Sequence, residues 1–500
     1  MSIEITGVVP DRELVDVEIM YLPFSVPHGT KRIEVEYDYS SGNIIDLGLV
    51  DSSFEPFPSR TGFRGWSGSV RKHVYVEETD ATPGYIKGPI LPGTWHVMLG
   101  LAKISTKECR YRVEIDLSSE ALEATTSVDP SGGTEESVSE SQSRWLACDF
   151  QSHTEHSDAQ ATLENSIAAA KAVGLDVLAV TDHNTNSQNL LMNTENIRLL
   201  LAADERPLLL MPGEELTTYH GHSNVWGLYD WVDFRFSTNY QYQEIVDHVH
   251  ERGGLISINH PKTQPGCIGC DWDFEVPPTI DCMEVWQGPW ILGNKESLDR
   301  YDALLKKGYR IIAVGGSDRH QPGYPDTDPL PVQLGSPTTF VQSKSRSVSA
   351  VLEGLVAGTV CIGDAPDGPR LDISYSRGGE VVPMGGMISC DTEEVGSLRV
   401  TLSKCTGEKL RVVDSIGLVY EGEVTADEIV LENITPNLFI RAEVVVSDTS
   451  SYIQRTKKQL SESPQYAKKF DDLLVKTNEE NIVRCLSNPI FFLHHKNSAS

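Results

Sequence analysis

The chain has 500 residues, which is too long for one hydrophobic core and suggests about three to four domains. Its apolar fraction of 39% and charged fraction of 23% are those of an ordinary globular protein, which excludes a disordered or fibrous chain. Asp and Glu number 72 against 42 Lys and Arg, so the net charge is −30. Extended nucleic acid and anionic membrane surfaces would repel such a chain, and we expect neither as a partner.

The first part of the chain, residues 1–117, is predicted to form a β-sandwich-like domain. The runs KRIEVEYDYS and TWHVMLGLAKI are rich in β-forming residues, and SGN, DSS and PG turns separate such runs. The next segment, 118–143, contains no aromatic residue, no lysine and no arginine. Because it has too little apolar surface to offset its ordering entropy, we expect a flexible, acidic linker rich in Ser and Glu.

Residues 144–365 alternate strand-like and helix-like segments. Seven apolar runs are typical of strands: WLACDF, LDVLAV, PLLLM, NVWGL, LISIN, IDCMEVW and RIIAV. Amphipathic helices are predicted at LENSIAAAKAVG, ESLDRYDALLKKG and SVSAVLEGLVAG, each ending at a glycine. This alternation indicates a buried parallel sheet, which we predict to close into a (β/α) barrel; an open doubly wound sheet is the alternative.

The last part, residues 366–500, returns to β structure. SLRVTLSK, KLRVVDSIG, EIVLENI and LFIRAEVVVSD are typical of antiparallel strands with polar turns between them. We therefore predict a C-terminal β domain, in which the charged segment 453–482 holds one exposed helix.

Cysteine content and the absence of targeting signals favour a cytoplasmic protein. The nine cysteines are an odd number, which fits reduced thiols better than a disulfide framework. The N-terminus has no apolar signal region, and no apolar run is long enough to span a membrane. The pair Cys267 and Cys270 lacks the second pair that a structural zinc requires, so we expect two free thiols there.

Histidines are concentrated in the predicted barrel, where nine of the 14 lie between His153 and His320. Motifs with potential ligands flank six of the seven strands: QSHTEHSD, TDHN, PGEELT, HGHSN, NHP and GGSDRH. The carboxyl ends of parallel barrel strands converge on one face, so ligands from separate strands would meet there. Gln151 with His153, and Asp318 with His320, are spaced to point the same way along a strand. The sequence therefore predicts a multinuclear metal site.

Taken together, these motifs resemble those of the PHP (polymerase and histidinol phosphatase) superfamily over about residues 144–365. The resemblance implies a distorted seven-stranded (β/α) barrel that holds two or three divalent transition metals, zinc, manganese or iron. Carried over position by position, it implies the following ligands: His153, Asp158, His183, Glu215, His222, His260, Asp318 and His320.

The first motif departs from the superfamily pattern. Gln151 stands where most members have histidine, and Ala159 stands where the usual turn has glycine. A Gln-x-His opening with flanking β domains is similar to the carbaryl-hydrolase (CehA/McbA-like) branch. Because an amide oxygen binds these metals less tightly than imidazole, we expect two firmly held metals and a loosely held or empty position beside Gln151.

The expected chemistry is hydrolysis of an ester bond in a small molecule. Two such metals can lower the pKa of a bridging water toward about 7, and the resulting hydroxide is the nucleophile. The superfamily favours a phosphoester, so we predict a PHP-type phosphoesterase. A carboxyl-ester or carbamate hydrolase is the alternative, and a non-catalytic, metal-stabilised binding barrel is a second one.

Three residues are candidate catalytic groups beside the metals. Arg319 and Lys262 could each bind an anionic oxygen, although Arg319 points away if its segment alternates as a strand does. His220 is a candidate proton donor to the leaving group, and equally a candidate surface histidine. Asp182 is expected to orient a ligand rather than to bind metal.

Overall fold

A computed structural model describes residues 1–10, 17–120, 143–203, 207–264, 267–320, 333–390, 395–435, 437–461 and 481–494. The predicted linker lies almost wholly outside the described residues, as does much of the charged segment 453–482. The helices are α1 (Leu163–Val173), α2 (Glu195–Ala202), α3 (Asn239–Glu251), α4 (Asn294–Lys306), α5 (Val348–Ala357) and α6 (Thr449–Ser461).

The strands of the first half are β1 (Ser2–Val8), β2 (Ile19–Val26), β3 (Arg32–Tyr39), β4 (Ile44–Val50), β5 (Phe63–Gly68), β6 (His73–Glu77), β7 (Gly93–Lys103), β8 (Arg110–Ser118), β9 (Arg144–Asp149), β10 (Val177–Val180), β11 (Leu209–Thr218), β12 (Gly221–Trp226) and β13 (Leu255–Ile258). Those of the second half are β14 (Cys282–Gln287), β15 (Ile312–Gly316), β16 (Thr338–Ser343), β17 (Val360–Gly363), β18 (Arg370–Arg377), β19 (Glu380–Pro383), β20 (Met387–Cys390), β21 (Gly396–Ser403), β22 (Lys409–Asp414), β23 (Leu418–Glu423), β24 (Glu428–Ile434), β25 (Phe439–Val445), β26 (Val483–Ser487) and β27 (Ile490–His494).

The first eight strands form two four-stranded antiparallel sheets that pack face to face. Their strand orders are β1-β8-β3-β6 and β2-β7-β4-β5. Val35 and Tyr37 of β3 share one apolar cluster with Trp95 and Val97 of β7. Because alternate residues of each strand are apolar, burying one face of each sheet against the other produces a β-sandwich.

The central sheet has the strand order β15-β14-β13-β12-β11-β10-β9-β16-β17. Strands β9, β10 and β11 are parallel to one another, and so are β13, β14 and β15. Helix α1 begins after Thr162, whose hydroxyl accepts a hydrogen bond from the Asn165 amide, and it ends at Gly174 with a φ of 86°. Helix α5 ends at Gly358 with a φ of 69°, so the predicted glycine stops of both helices are confirmed.

Strand β12 runs antiparallel to both of its neighbours, β11 and β13, so the prediction of an all-parallel sheet is wrong here. Only Tyr219 and His220 connect β11 to β12. A connection of two residues makes a hairpin, whereas a parallel crossover needs about a dozen residues or more. Glu215 and His222 lie on the same face of this hairpin, since Thr217 pairs with His222 and Glu215 with Asn224.

The paired strands do not close into a ring within the described part of the chain. The order ends at β15 on one side and continues from β9 through β16 and β17 on the other. The loops after β9 and β15 nevertheless bond to each other. The His153 amide donates to the Arg319 carbonyl at 3.0 Å, and the Asp318 amide donates to the Gln151 carbonyl at 3.0 Å. The fold class is mixed α/β, and the carboxyl ends of β9 and β15 lie side by side.

The C-terminal strands continue the central sheet. Strand β26 pairs antiparallel with β17, and β25, β22 and β23 follow in order. A four-stranded sheet, β19-β18-β21-β24, packs against this extension through an apolar cluster that contains Tyr375, Leu398 and Val444. Hydrogen bonding therefore continues across the predicted boundary at residue 365.

None of the helices in the described ranges combines the length and the apolar composition that crossing a membrane requires.

Candidate metal centre

The predicted ligands converge on one cluster, carried by β11, β12 and the loops after β9, β10, β13 and β15. All eight predicted His, Asp and Glu ligands fall into three groups whose ligand atoms lie within 4.8 Å of one another. The groups are His153 with Asp158, His183 and His320; His153 with Glu215 and Asp318; and His222 with His260 and Cys270. The first two groups share His153, and Glu215 lies 3.4 Å from His222, so the three groups are contiguous.

Glu215 occupies the middle of the cluster and is fully buried. Its Oε2 lies 3.3 Å from His153 Nε2 and 3.2 Å from His183 Nδ1. Its Oε1 accepts a hydrogen bond from Asn259 Nδ2 at 2.8 Å. A carboxylate with imidazoles near both oxygens would be a donor to divalent cations bound in this cluster.

The first and last motifs are held together by the backbone bridge between their loops. His153 Nε2 lies 2.9 Å from Asp318 Oδ1, and the rings of His153 and His320 stack with centroids 4.2 Å apart. Asp158 Oδ1 lies 3.2 Å from His320 Nε2 and 3.5 Å from His183 Nε2. Asp318 and His320 therefore both direct their side chains into the cluster, from a loop that follows the end of β15.

Backbone strain is concentrated at the same place. Among described residues other than glycine, five have a positive φ, and three of them are Asn184 at 56°, His260 at 29° and Asp318 at 53°. Such conformations cost about 1–3 kcal/mol each and persist where the surroundings enforce them. Here the fold holds two predicted ligands, His260 and Asp318, in conformations that the chain alone disfavours.

Asp182 orders the loop that carries Asp158, and its backbone carbonyl accepts a hydrogen bond from the Glu215 amide at 3.2 Å. This fully buried carboxylate accepts hydrogen bonds from the Thr154 amide at 2.8 Å, the Thr154 hydroxyl at 2.7 Å and the Ser157 hydroxyl at 2.6 Å. It thereby fixes the turn between His153 and Asp158, a positioning role like the one expected from the sequence.

Gln151 is buried inside the cluster, with 1% of its surface exposed. Its Nε2 donates to Glu215 Oε1 at 3.0 Å and to Asp318 Oδ1 at 3.3 Å. The side chain thus connects two predicted ligands by hydrogen bonds, and its role as a metal ligand stays a prediction.

Sequence reasoning missed Glu284, a buried carboxylate on β14. Its Oε2 accepts hydrogen bonds from His260 Nδ1 at 2.8 Å and from the His260 amide at 3.0 Å. With Nδ1 bonded to Glu284, His260 Nε2 faces the cluster, 3.3 Å from His222 Nδ1. A carboxylate on the outer ring nitrogen is the arrangement commonly found around metal-binding histidines. The available signal was one Glu inside the otherwise apolar segment CMEVW.

Gln287 was also missed. Its Nε2 donates to Asp318 Oδ2 at 2.5 Å and so orients that carboxylate from the side opposite His153. It follows Glu284 at the end of β14, where a polar residue closing an apolar run was the only sequence signal.

Electrostatics favour ionised carboxylates in the cluster and a neutral His260, whereas the pKa values of His153 and His320 are raised because the neighbouring carboxylates outweigh burial. Burial disfavours ionisation of Asp158, but His183 and His320 outweigh it and hold the pKa of that carboxyl below its usual value. Burial and His320 act in the same way on Asp318, whose pKa is also lowered. Burial lowers the pKa of His260 to about 3. Ionised carboxylates and neutral imidazoles are the forms that coordinate cations.

The cluster fits divalent metal ions. Four of its buried atoms make no hydrogen bond with any described residue: Gln151 Oε1, His153 Nδ1, Glu215 Oε2 and His222 Nε2. Leaving a buried polar atom unsatisfied costs about 1–3 kcal/mol, so four in one cluster indicate that a further bound group completes it. Imidazole nitrogens and carboxylate oxygens are the donors that zinc, iron and manganese take in proteins.

Lys262 and Arg319 lie next to the cluster. Lys262 is 2% exposed, and its Nζ donates to Asn294 Oδ1 at 2.7 Å. Burial lowers the pKa of Lys262 to about 8, although Glu284 and Asp318 act against this shift. Arg319 is 6% exposed, and its backbone bridges to the β9 loop. Their substrate roles stay predictions.

His220 lies outside the three ligand groups. Its Nε2 is 2.6 Å from Glu18 Oε1 of the N-terminal sandwich, and its Nδ1 is 3.7 Å from Asp273 Oδ2. These contacts attach the β11–β12 turn to the sandwich, and the proton-donor role stays a prediction.

The expectation of two free thiols at Cys267 and Cys270 is wrong, because these residues form a disulfide. Cys270 is buried with 4% of its surface exposed, whereas Cys267 is exposed. The Cys270 sulfur is also a member of the ligand group with His222 and His260. The CIGC motif was the sequence signal for this group. Its contact with His222 and His260 was not predictable, because Cys270 lies ten residues or more from both along the chain.

Comparison with known proteins finds no matching family profile and no matching curated protein. Among solved structures, a two-domain Bacteroides vulgatus protein containing a predicted PHP-like metal-dependent phosphoesterase is 18% identical, with a TM-score of 0.36, over 63% of this chain and 95% of its own. A putative metal-dependent phosphoesterase from Bifidobacterium adolescentis is 15% identical, with a TM-score of 0.26, over 38% of this chain and 90% of its own.

An amidohydrolase from Chromobacterium violaceum, solved with sulfate and without metal, is 14% identical, with a TM-score of 0.23, over 35% of this chain and 88% of its own. Overlap at these scores does not assign an activity to this chain, and the carbaryl-hydrolase branch stays a prediction.

Proposed function

We propose that the chain is a metal-dependent hydrolase that cleaves a phosphoester at this cluster, on a distorted (β/α) barrel of the PHP type. One observation carries the proposal: eight His, Asp and Glu side chains from six separate segments meet in three contiguous ligand groups. A stabilising polar network would satisfy its own buried atoms, whereas this one leaves four without hydrogen-bond partners among the described residues.

Divalent metals bound here would supply Lewis acidity and a water of lowered pKa. Other residues of the chain fix the positions of the ligand side chains. Asp182 fixes the loop of Asp158, Glu284 sets the ring orientation of His260, and Gln287 with Gln151 holds Asp318. Groups held this way need little rearrangement when charge develops during the reaction, which is the main source of electrostatic catalysis.

A phosphoester fits the charge around the cluster. Two divalent cations with the Lys262 ammonium and the Arg319 guanidinium would exceed the charge of the ligand carboxylates Asp158, Glu215 and Asp318. The surplus is positive and suits an anionic substrate.

A second candidate is hydrolysis of a neutral carboxyl ester or carbamate. The observation that favours it is the contact of Lys262 Nζ with Asn294 at 2.7 Å, which directs the ammonium to a protein partner. The net charge of −30 acts in the same direction, since it repels anions at long range.

The test compares kcat/KM for a matched aryl phosphate and aryl carbamate, using full-length protein reconstituted with Zn²⁺ or Mn²⁺. The proposal predicts faster cleavage of the phosphate. It also predicts that Lys262→Ala or Arg319→Ala raises the barrier to phosphate cleavage by about 2–4 kcal/mol, comparable to loss of one oxyanion donor. Lys103→Ala, an exposed position at the end of β7, is the matched control.

Faster carbamate cleavage, with small effects of both substitutions, would select the neutral-ester function. If metal-loaded protein cleaves neither substrate, the remaining hypothesis is a non-catalytic barrel that binds metal.

A further inference from the structure

The Cys267–Cys270 loop is fastened to the hairpin that carries His222. A side chain at Gly269 would place its Cβ 2.4 Å from the Thr218 carbonyl oxygen and 2.8 Å from Tyr219 Cα, so the two backbones are in direct contact. Gly269 also has a φ of 76°, which favours glycine. The position of Cys270 beside the cluster is therefore set by close backbone packing.

Contacts on the far side of the loop hold it in the same place. A Cβ at Gly221 would lie 2.6 Å from the Trp272 ring, and the Asp273 amide donates to the His220 carbonyl at 2.9 Å. Cys270 thus lies between two points of attachment to the β11–β12 hairpin.

The neighbours of Cys270 supply the other donors of a metal position. Its sulfur lies within 4.8 Å of ligand nitrogens of His222 and His260. His260 Nδ1 is bonded to Glu284, so Nε2 is the ring nitrogen that faces the cluster, where it lies 3.3 Å from His222 Nδ1. His222 Nε2 makes no hydrogen bond with a described residue. Glu215 lies 3.4 Å from His222 Nδ1. Imidazole, carboxylate and thiolate are all donors that zinc takes in proteins.

We propose that Cys270 is a thiolate ligand of the metal position formed by Glu215, His222 and His260, and that the Cys267–Cys270 disulfide removes this ligand. The inference rests on the proposed metal centre. It adds that the oxidation state of the two cysteines controls whether metal is bound at this position. The resemblance implied no cysteine ligand, and the dithiol form makes this position softer than an all-nitrogen-and-oxygen site.

The conversion is a thiol–disulfide exchange with a small-molecule disulfide. The exposed Cys267 thiolate attacks one sulfur of that disulfide, forming a mixed disulfide and releasing one thiolate. The Cys270 thiolate then attacks the Cys267 sulfur, forming the Cys267–Cys270 bond and releasing the second thiolate, so that Cys270 would no longer be available as a ligand. Two electrons pass from the cysteine pair to the small disulfide, which becomes two thiols after taking up two protons.

The experiment uses Co²⁺ as a spectroscopic probe in the full-length chain. A thiolate bound to Co²⁺ gives an intense near-ultraviolet charge-transfer band, separate from the weak visible bands that any bound Co²⁺ shows. Reduced wild type and Cys267→Ser should show the band, and Cys270→Ser should lack it. Cys270→Ser should also weaken Zn²⁺ binding about 10-fold or more in competition with a chromophoric chelator.

Oxidised glutathione should abolish the band in wild type and leave it intact in Cys267→Ser, which is unable to form the disulfide. Visible Co²⁺ bands without the thiolate band in the reduced wild type would overturn ligation by Cys270. A band that survives formation of the disulfide would overturn the redox control. Failure of the reduced chain to take up any Co²⁺ would instead refute the proposed metal centre, so the two failures are distinguishable.

Discussion

At Gln151 the structure refines the sequence argument. The residue lies among the predicted ligands, as its spacing from His153 indicated, but its amide nitrogen donates to Glu215 and Asp318. Two carboxylates that already receive an amide hydrogen bond have less electron density to give a cation. We therefore expect Gln151 to weaken a metal position, because an amide stands in place of an imidazole and because it bonds to two neighbouring carboxylates.

Gln151→His should tighten the weakest metal position, since imidazole replaces an amide. We expect its dissociation constant to fall about 10-fold, measured by competition with a chromophoric chelator. Gln454→His, on the exposed face of α6, is the matched control. Unchanged metal stoichiometry and affinity in Gln151→His would show that residue 151 does not influence the cluster.

The ligands that the sequence predicted lie in short motifs that flank predicted strands, whereas the residues that it missed are identified only by contacts with distant parts of the chain. His153, His183, His260 and His320 follow predicted strands in short motifs, so their convergence was predictable from the fold class alone. Glu284 lies in an apolar strand, and its contact with His260 spans 24 residues of sequence. Only tertiary structure brings such a pair together.

At the scale of elements, apolar runs located the central strands but did not give their directions. A buried strand has the same apolar composition whether it runs parallel or antiparallel to its neighbours. The direction of β12 follows from its two-residue connection to β11, which was visible in TTYHGHSN. Turn length is therefore the feature that corrects the all-parallel prediction.

The β11–β12 turn contacts the N-terminal sandwich through a partly buried carboxyl group. Tyr219 donates its hydroxyl hydrogen to Asp46 Oδ2 at 2.7 Å. Burial raises the pKa of Asp46 to about 6, against the opposing effect of the Tyr219 hydrogen bond. The folded state thus binds a proton at pH values where the unfolded chain has released it.

This linkage predicts a pH-dependent effect of Asp46→Asn. Between about pH 4 and pH 6 the folded wild type retains the proton on Asp46 and the unfolded chain does not, so this contribution to stability is lost as pH rises. The unfolding free energy of Asp46→Asn relative to wild type should therefore increase by about 1–3 kcal/mol from pH 4 to pH 7. Urea titrations at both pH values measure this change in unfolding free energy. Asp38→Asn, at an exposed position of β3, is the control. A difference between Asp46→Asn and wild type that is the same at both pH values would contradict the assignment.

At the scale of the whole molecule, the flanking strands are continuous with the centre. Strand β26 extends the central sheet beyond β17, and the sandwich contacts the site hairpin through Asp46 and Glu18. Composition separated three regions along the chain but did not show these contacts, because pairing between distant strands leaves no local pattern. The mixed α/β class was predictable; the extension of the sheet was not.

The central claim is that the eight convergent side chains bind metal, and elemental analysis of purified full-length protein tests it most directly. The account predicts about two transition-metal ions per chain, and the loss of at least one ion in His153→Ala and in Asp318→Ala, with circular dichroism showing the β structure unchanged. Wild-type protein that contains no transition metal, and takes up none when reconstituted with Zn²⁺, Mn²⁺ or Fe²⁺, would contradict it.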